Sequence, residues 1–332
     1  MRWTNTVYSF SLLYFNCPQV NSLNKMNRII DSHVHVWGDG KAFEFNSAPP
    51  LDLQGDKGSP ETLLRLMDAA NVQGTLIIQP INYLYDHSYL LNVVQEPKYR
   101  QRFKLMALMD PTLEEASYGE CMLDGLKRQG FVGIRYNPYL FPPGEAMSGT
   151  KGVAWFRKAG ELRLCVGIMC FKGLSLHYDD IVQLLTSGNG DRAEGQKTKV
   201  IIDHWGFFVQ GGQVDEDAWK QLLSLAAFPE VYIKISALWR VSVEPFPHLD
   251  LDPRLLQLVD AFGTNRLLFG TDFPYVQQQQ QQQDDAPTTK ESYVRYVTEA
   301  MQTWPQCRAR LSTTQWEELF SLTAESLFGT FL

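Results

Sequence analysis

The sequence has no block of basic residues, no apolar run of membrane length and no paired cysteine spacing, and each absence removes a class of function. Without clustered Lys and Arg, and with a net charge of −7, the chain is not built to bind nucleic acid in general. No stretch approaches the roughly eighteen consecutive apolar residues of a transmembrane helix. Five cysteines, Cys17, Cys121, Cys165, Cys170 and Cys307, lie scattered, two of them in one apolar stretch. They read as reduced packing residues, not as a disulfide framework. No acidic residue precedes Asp31. This acid-poor leader, residues 1–26, suits an organelle transit peptide or an extension upstream of a start at Met26, so the expected location is the plastid or the cytoplasm of a eukaryote. A glycine-rich turn after the first strand is also missing, which counts against a dinucleotide-binding doubly wound sheet.

What is present is organised around Ile29-Ile30-Asp31-Ser32-His33-Val34-His35-Val36-Trp37. Side chains two apart on a strand share a face, so Asp31, His33 and His35 are expected to point inward while Ile30, Val34 and Val36 pack outward. Paired imidazoles either share a cation or hold a polarised substrate oxygen between them. Further apolar runs at 75–79, 103–109, 132–136, 164–171, 200–204, 231–236 and 267–270 read as strands. Helical patterns separate them, the first capped by Ser59 and opened by Pro60. Eight β/α units in roughly 250 residues predict one closed (β/α)8 TIM barrel over residues 27–332. A glutamine run at 277–283 continues into Asp284 to Pro287. The segment 277–287 reads as a low-complexity loop after the eighth strand and hints at a eukaryotic source.

Catalytic groups in such a barrel sit at the C-terminal ends of strands. The first apolar run ends in His33 and His35, the sixth in His204 and the eighth in Asp272. These four are expected to meet at one mouth. Arg135 ends strand four and Arg240 follows strand seven, both placed to offer a guanidinium fork to a carboxylate. Asn82 and Tyr83, after strand two, are expected as pocket walls, and residues 139–152 as a lid. Lys234 reads as a structural lysine of the barrel interior. His87 and His248 read as bland, and His177 as a rim or helix-start residue.

Taken in series, Ile30-Asp31-Ser32-His33-Val34-His35, Gly133-Ile134-Arg135-Tyr136-Asn137-Pro138, Ile202-Asp203-His204-Trp205-Gly206, Lys234-Ile235-Ser236 and Gly270-Thr271-Asp272-Phe273-Pro274 carry a resemblance. The chain resembles the amidohydrolase-related family, the branch of the amidohydrolase superfamily with pyrone-dicarboxylate lactonase and the sugar lactonases. Its wording around Gln79-Pro80-Ile81-Asn82 and Met169-Cys170-Phe171-Lys172 is similar to plant and algal members. The resemblance implies a distorted, metal-dependent-hydrolase type of barrel that opens a lactone or amide.

It also implies either one divalent metal, zinc or manganese, held by His33, His35, His204 and Asp272, or no metal at all. Many superfamily members carry a further ligand histidine on strand five, where this chain has Met169-Cys170-Phe171. A tight binuclear site is therefore not expected. Asp272 would activate water while the imidazoles polarise the carbonyl. In the pyrone lactonase the positions of Arg135 and Arg240 bind carboxylates, and a further arginine of that pattern is replaced here around Tyr139-Leu140-Phe141. The expected partner is a small carboxylate or lactone, for a chain acting alone or as a homo-oligomer. The competing readings are a decarboxylase or hydratase on the same barrel, and a binding protein that has lost turnover.

Overall fold

The computed structural model describes residues 28–278 and 289–331. The leader 1–26 and the greater part of the glutamine loop, 279–287, lie outside the described residues. Eight parallel strands form one sheet in sequence order: β1 (Ile30–Val34), β2 (Gly74–Ile78), β3 (Phe103–Leu108), β4 (Gly133–Tyr136), β5 (Cys165–Ile168), β6 (Val200–Ile202), β7 (Val231–Ile235) and β8 (Leu267–Phe269). Helices connect them, which is the (β/α)8 barrel expected from the alternation. Strands buried on both faces need continuous apolar runs, and Leu76-Ile77-Ile78 and Val200-Ile201-Ile202 supply them. The first connecting helix, Pro60–Ala69, starts as its sequence dictates, with the Ser59 hydroxyl accepting from Thr62 N–H at 3.1 Å. Among the described residues no helix is long and apolar enough to cross a membrane.

The last seam of the barrel is closed by the segment that follows β8. Val34 bridges Phe273, His35 N–H donates to the Phe273 carbonyl at 2.7 Å, and Asp272 N–H donates to the His33 carbonyl at 2.8 Å. Gly270 makes this approach feasible: a Cβ there would sit 3.0 Å from His33 Cβ and 3.2 Å from Ser236 Cβ. Closure thus brings the acid of the last strand against the histidines of the first.

The apolar residues divide into two clusters. The larger packs the helices around the sheet. The smaller contains Ile30, Leu76, Ile78, Met106, Cys165, Ile201 and Leu268 from the strands with Ala324, Phe328 and Phe331 from the C-terminal segment, and it fills the barrel floor. Ile30 therefore faces inward, contrary to the alternation expected for β1. A register irregularity between Asp31 and Val34 resets the phase, so Asp31 and His33 do not share a face. Asp31 instead accepts from Thr271 N–H (2.9 Å) and Thr271 Oγ1 (2.6 Å), and from Tyr293 Oη at 3.0 Å.

Candidate active site

The strand ends deliver four polar side chains to one point. His33, His204 and Asp272 are buried, and a donor atom from each lies within 4.8 Å of the others. His33 Nε2 stands 3.7 Å and His35 Nε2 3.5 Å from the same oxygen, Asp272 Oδ1. The rings of His33 and His204 are 4.3 Å apart, those of His33 and His35 5.1 Å. Each imidazole is oriented through its other nitrogen: His204 Nδ1 lies 2.8 Å from Ser236 Oγ, His35 Nδ1 donates to the Ile78 carbonyl at 3.0 Å, and His33 Nδ1 lies 3.1 Å from Lys234 Nζ. Asp272 and His204 both sit in left-handed backbone, at φ 62° and 47°, as does Ala237 at 51°. Such conformations cost free energy and persist where the surroundings over-determine them, as the Asp31 clamp on Thr271 does beside Asp272.

Below this cluster lies a residue whose part in the site its motif alone did not signal. Asp203 is buried and accepts from Arg135 Nε at 2.8 Å through Oδ2, while Oδ1 stands 3.1 Å from Lys234 Nζ and 3.5 Å from His33 Nδ1. Burial alone would raise its carboxyl, but Lys234 and Arg135 outweigh that and hold it well below the usual carboxylate range. For Asp272 burial is likewise outweighed, by the facing His204 and His35 imidazoles and the Arg240 guanidinium, and its carboxyl is held down. Burial pushes the His204 imidazole down to about 3 against Asp272 and Asp203. Burial and then Lys234 lower His33 well below the ordinary histidine value. At neutral pH the site therefore presents an ionised acid among neutral rings His33 and His204.

Above the cluster opens a cavity of about 400 Å³ lined by His35, His204, Asp272, Arg135 and Arg240 among apolar walls from Leu108, Met169, Phe171, Phe207 and Tyr275. The two arginines differ. Arg135 is buried, spent on Asp203 through Nε and set beside Met169 Sδ through Nη2. Arg240 reaches Asp272 Oδ2 through Nε at 3.2 Å, keeps 37% of its side chain exposed, and lies over the Tyr275 and Trp239 rings. Asn82 and Tyr83 do not line the cavity; Gln79, Pro80 and Ile81 form that wall. The turn after β2 directs Asn82 Nδ2 to the Ser47 carbonyl, and Tyr83 Oη accepts from Gly38 N–H. His177 also stays outside the cavity lining, its ring edge against Tyr139 at 5.0 Å. His87 Nε2 accepts from Leu108 N–H and His248 Nδ1 donates to the Glu244 carbonyl, both away from the cluster.

Two neutral imidazoles and a carboxylate are the donor set of a divalent cation, and His33 Nε2 is a buried polar atom with no hydrogen-bond partner among the described residues. In residue type and spacing His33, His204 and Asp272 match such an ion, and whether the His33 ring can ligate is set by which of its nitrogens carries the proton. The same set, used without an ion, can orient a water and receive a carbonyl oxygen.

Comparison with known proteins agrees with this fold. The family model described as Amidohydrolase matches residues 30–330. A 4-sulfomuconolactone hydrolase from Rhizobium radiobacter is 26% identical over 250 residues, covering 74% of this chain and 75% of that one. An L-fucono-1,5-lactonase from Burkholderia ambifaria is 26% identical over 252 residues, covering 74% and 80%. Among solved structures, one from Pseudomonas putida assigned as a 2-pyrone-4,6-dicarboxylic acid hydrolase superposes with a TM-score of 0.68 at 20% identity, covering 92% of this chain and 98% of that one. That structural likeness establishes the barrel.

Proposed function

The chain belongs to the amidohydrolase family, and from that membership we propose that it is a hydrolase that opens a small lactone bearing one carboxylate. The observation that carries the reading is Asp272, an acid ringed by His33, His35 and His204 at the base of a largely apolar cavity, with Arg240 at its edge. The curated relatives that hydrolyse lactones support the reaction class.

The apolar walls take the ring and exclude water, while the exposed part of the Arg240 guanidinium takes the carboxylate. The lactone carbonyl oxygen is received by imidazole N–H groups of His33 and His204, which strengthen their hold as negative charge develops on it. Asp272 accepts a proton from the attacking water, the new C–O bond forms, and the same proton passes to the leaving alkoxide as the ring C–O bond breaks. A carboxylate held this low is a weak base. A substrate anion that engages Arg240 loosens its grip on Asp272 Oδ2, so binding itself raises the basicity of Asp272. Where a divalent ion such as zinc or manganese is bound, His33, His204 and Asp272 would hold it, and it would supply a Lewis acid for the carbonyl.

Proton release on a panel of lactones with and without a carboxylate, measured for wild type and Asp272→Asn, tests the proposal. Turnover of carboxylated lactones should fall about 10³-fold in the variant, the scale of a lost general base. Carbon dioxide release without ring opening would establish the lyase reading instead. An Asp272→Asn protein that binds lactones like a wild type lacking all turnover would establish a binding protein.

A further inference from the structure

Lys234 is wholly buried, and no step above uses it. Its Nζ lies 3.1 Å from His33 Nδ1 and 3.1 Å from Asp203 Oδ1, the other Asp203 oxygen being taken by Arg135. Burial lowers the Lys234 ammonium and the adjoining Asp203 carboxylate opposes that; as an ammonium Lys234 has donors only, so His33 Nδ1 is the acceptor and the proton of the neutral ring sits on Nε2. That Nε2 is the atom aimed at the reaction point, 3.7 Å from Asp272 Oδ1. His35 has the reverse arrangement at Nδ1, because the Ile78 carbonyl 3.0 Å away can only accept. The two histidines of one motif therefore differ at the same ring atom: His35 Nδ1 carries a proton and His33 Nδ1 does not.

The difference matters for what the centre can hold. A metal ligand must offer a lone pair, and ligating imidazoles ordinarily donate their second nitrogen to an acceptor. His33 instead receives a hydrogen bond at its second nitrogen and turns an N–H toward Asp272. The charges point the same way. Asp203 and Asp272 face Lys234, Arg135 and Arg240, two carboxylates against three cationic side chains, an excess of one positive charge before the rings are counted. A dication adds to that excess; one anionic oxygen or carboxylate cancels it.

We propose that Lys234 is a positioning residue that fixes the tautomer of His33, so that this centre favours an anionic oxygen over a divalent cation. The proposal concerns the same site as the hydrolase reading but rests on it only for the site's location. Asp203 Oδ1, 3.5 Å from His33 Nδ1, is the acceptor that takes over once Lys234 is removed. The ring proton then moves to Nδ1 and frees the Nε2 lone pair for an ion.

Two measurements on the full chain test this without substrate. Long-range ¹H–¹⁵N spectra of the metal-free wild type, with His33 assigned through a His33→Gln control, should show His33 as the Nε2–H tautomer and His35 protonated at Nδ1. Zinc titration calorimetry should show Lys234→Met binding at least about tenfold tighter than wild type, with Lys234→Arg, which keeps a donor and a charge, staying at the wild-type value. His33 found as the Nδ1–H tautomer in the wild type overturns the proposal. So does a folded Lys234→Met protein whose zinc affinity is unchanged or weaker. If that variant does not fold, the wild-type spectrum still decides. Loss of lactonase activity, or none to begin with, moves neither readout.

Discussion

The floor and the mouth of this barrel are built on the same strands yet obey opposite rules. Ile30, Leu76, Ile78, Met106, Ile201 and Leu268 form the floor, with Phe328 and Phe331 below them, and nothing there needs a partner beyond contact. A few residues further along those strands, or just past their ends, His33, Arg135, Asp203, His204, Lys234 and Asp272 are equally buried, and every one depends on a named partner. On the mouth side left-handed backbone occurs at His204, Trp205, Phe207, Ala237 and Asp272. The floor tolerates substitutions that keep volume and shape. In the mouth stability is conditional, because removing one charge strands another.

Four perturbations break or sharpen that contrast. The largest effect on folding is expected from Arg135→Gln, which leaves buried Asp203 with Lys234 alone. Chemical denaturation should show a loss of about 3–5 kcal/mol, and a loss under 1 kcal/mol would mean that the pair is not held as an ion pair. Leu268→Ala in the floor should cost about 3 kcal/mol by cavity formation while leaving KM for a carboxylated lactone unchanged. A shifted KM there would erase the distinction between the two layers.

Asp31→Asn probes the joint between them. Burial, opposed by Thr271 and Tyr293, pushes the Asp31 carboxyl from 3.8 up to about 6. The unfolded carboxyl ionises first as pH rises, so between those values the folded state binds more protons and this group's contribution to stability declines with increasing pH. The difference between wild-type and Asp31→Asn stability curves should therefore change by about 2 kcal/mol across that window and stay level above it. A flat difference would show that Asp31 is ionised in the fold. The smallest effect is reserved for Arg240→Gln, where KM for a carboxylated lactone should rise about tenfold and that for an uncharged lactone should not move.

Much of the mouth is legible in the sequence because its residues end apolar runs, and the barrel places strand ends on one rim. His33, His35, His204 and Asp272 could be named in this way. The phase of Asp31 could not, since side-chain alternation holds only while register is unbroken, and β1 is irregular between Asp31 and Val34. Asn82 and Tyr83 were misplaced for a related reason. They lie one turn past a strand, where direction is set by the contacts of the turn with Ser47 and Gly38. Lys234 could be assigned to the interior as a structural residue, but its partner His33 is 201 positions away, and no local pattern carries a hydrogen bond across the barrel.

Residue order alone determined the barrel and the rim to which His33, His35, His204 and Asp272 are brought, because periodicity and strand ends are properties of neighbours in the chain. Tertiary structure alone decided that Asp31 clamps the β8 exit, that Arg135 is engaged while Arg240 keeps an exposed fork, and that Lys234 sits behind His33. Those outcomes are set by distances of about 3 Å between segments far apart in sequence, and hydrogen bonds and ion pairs act only at such range.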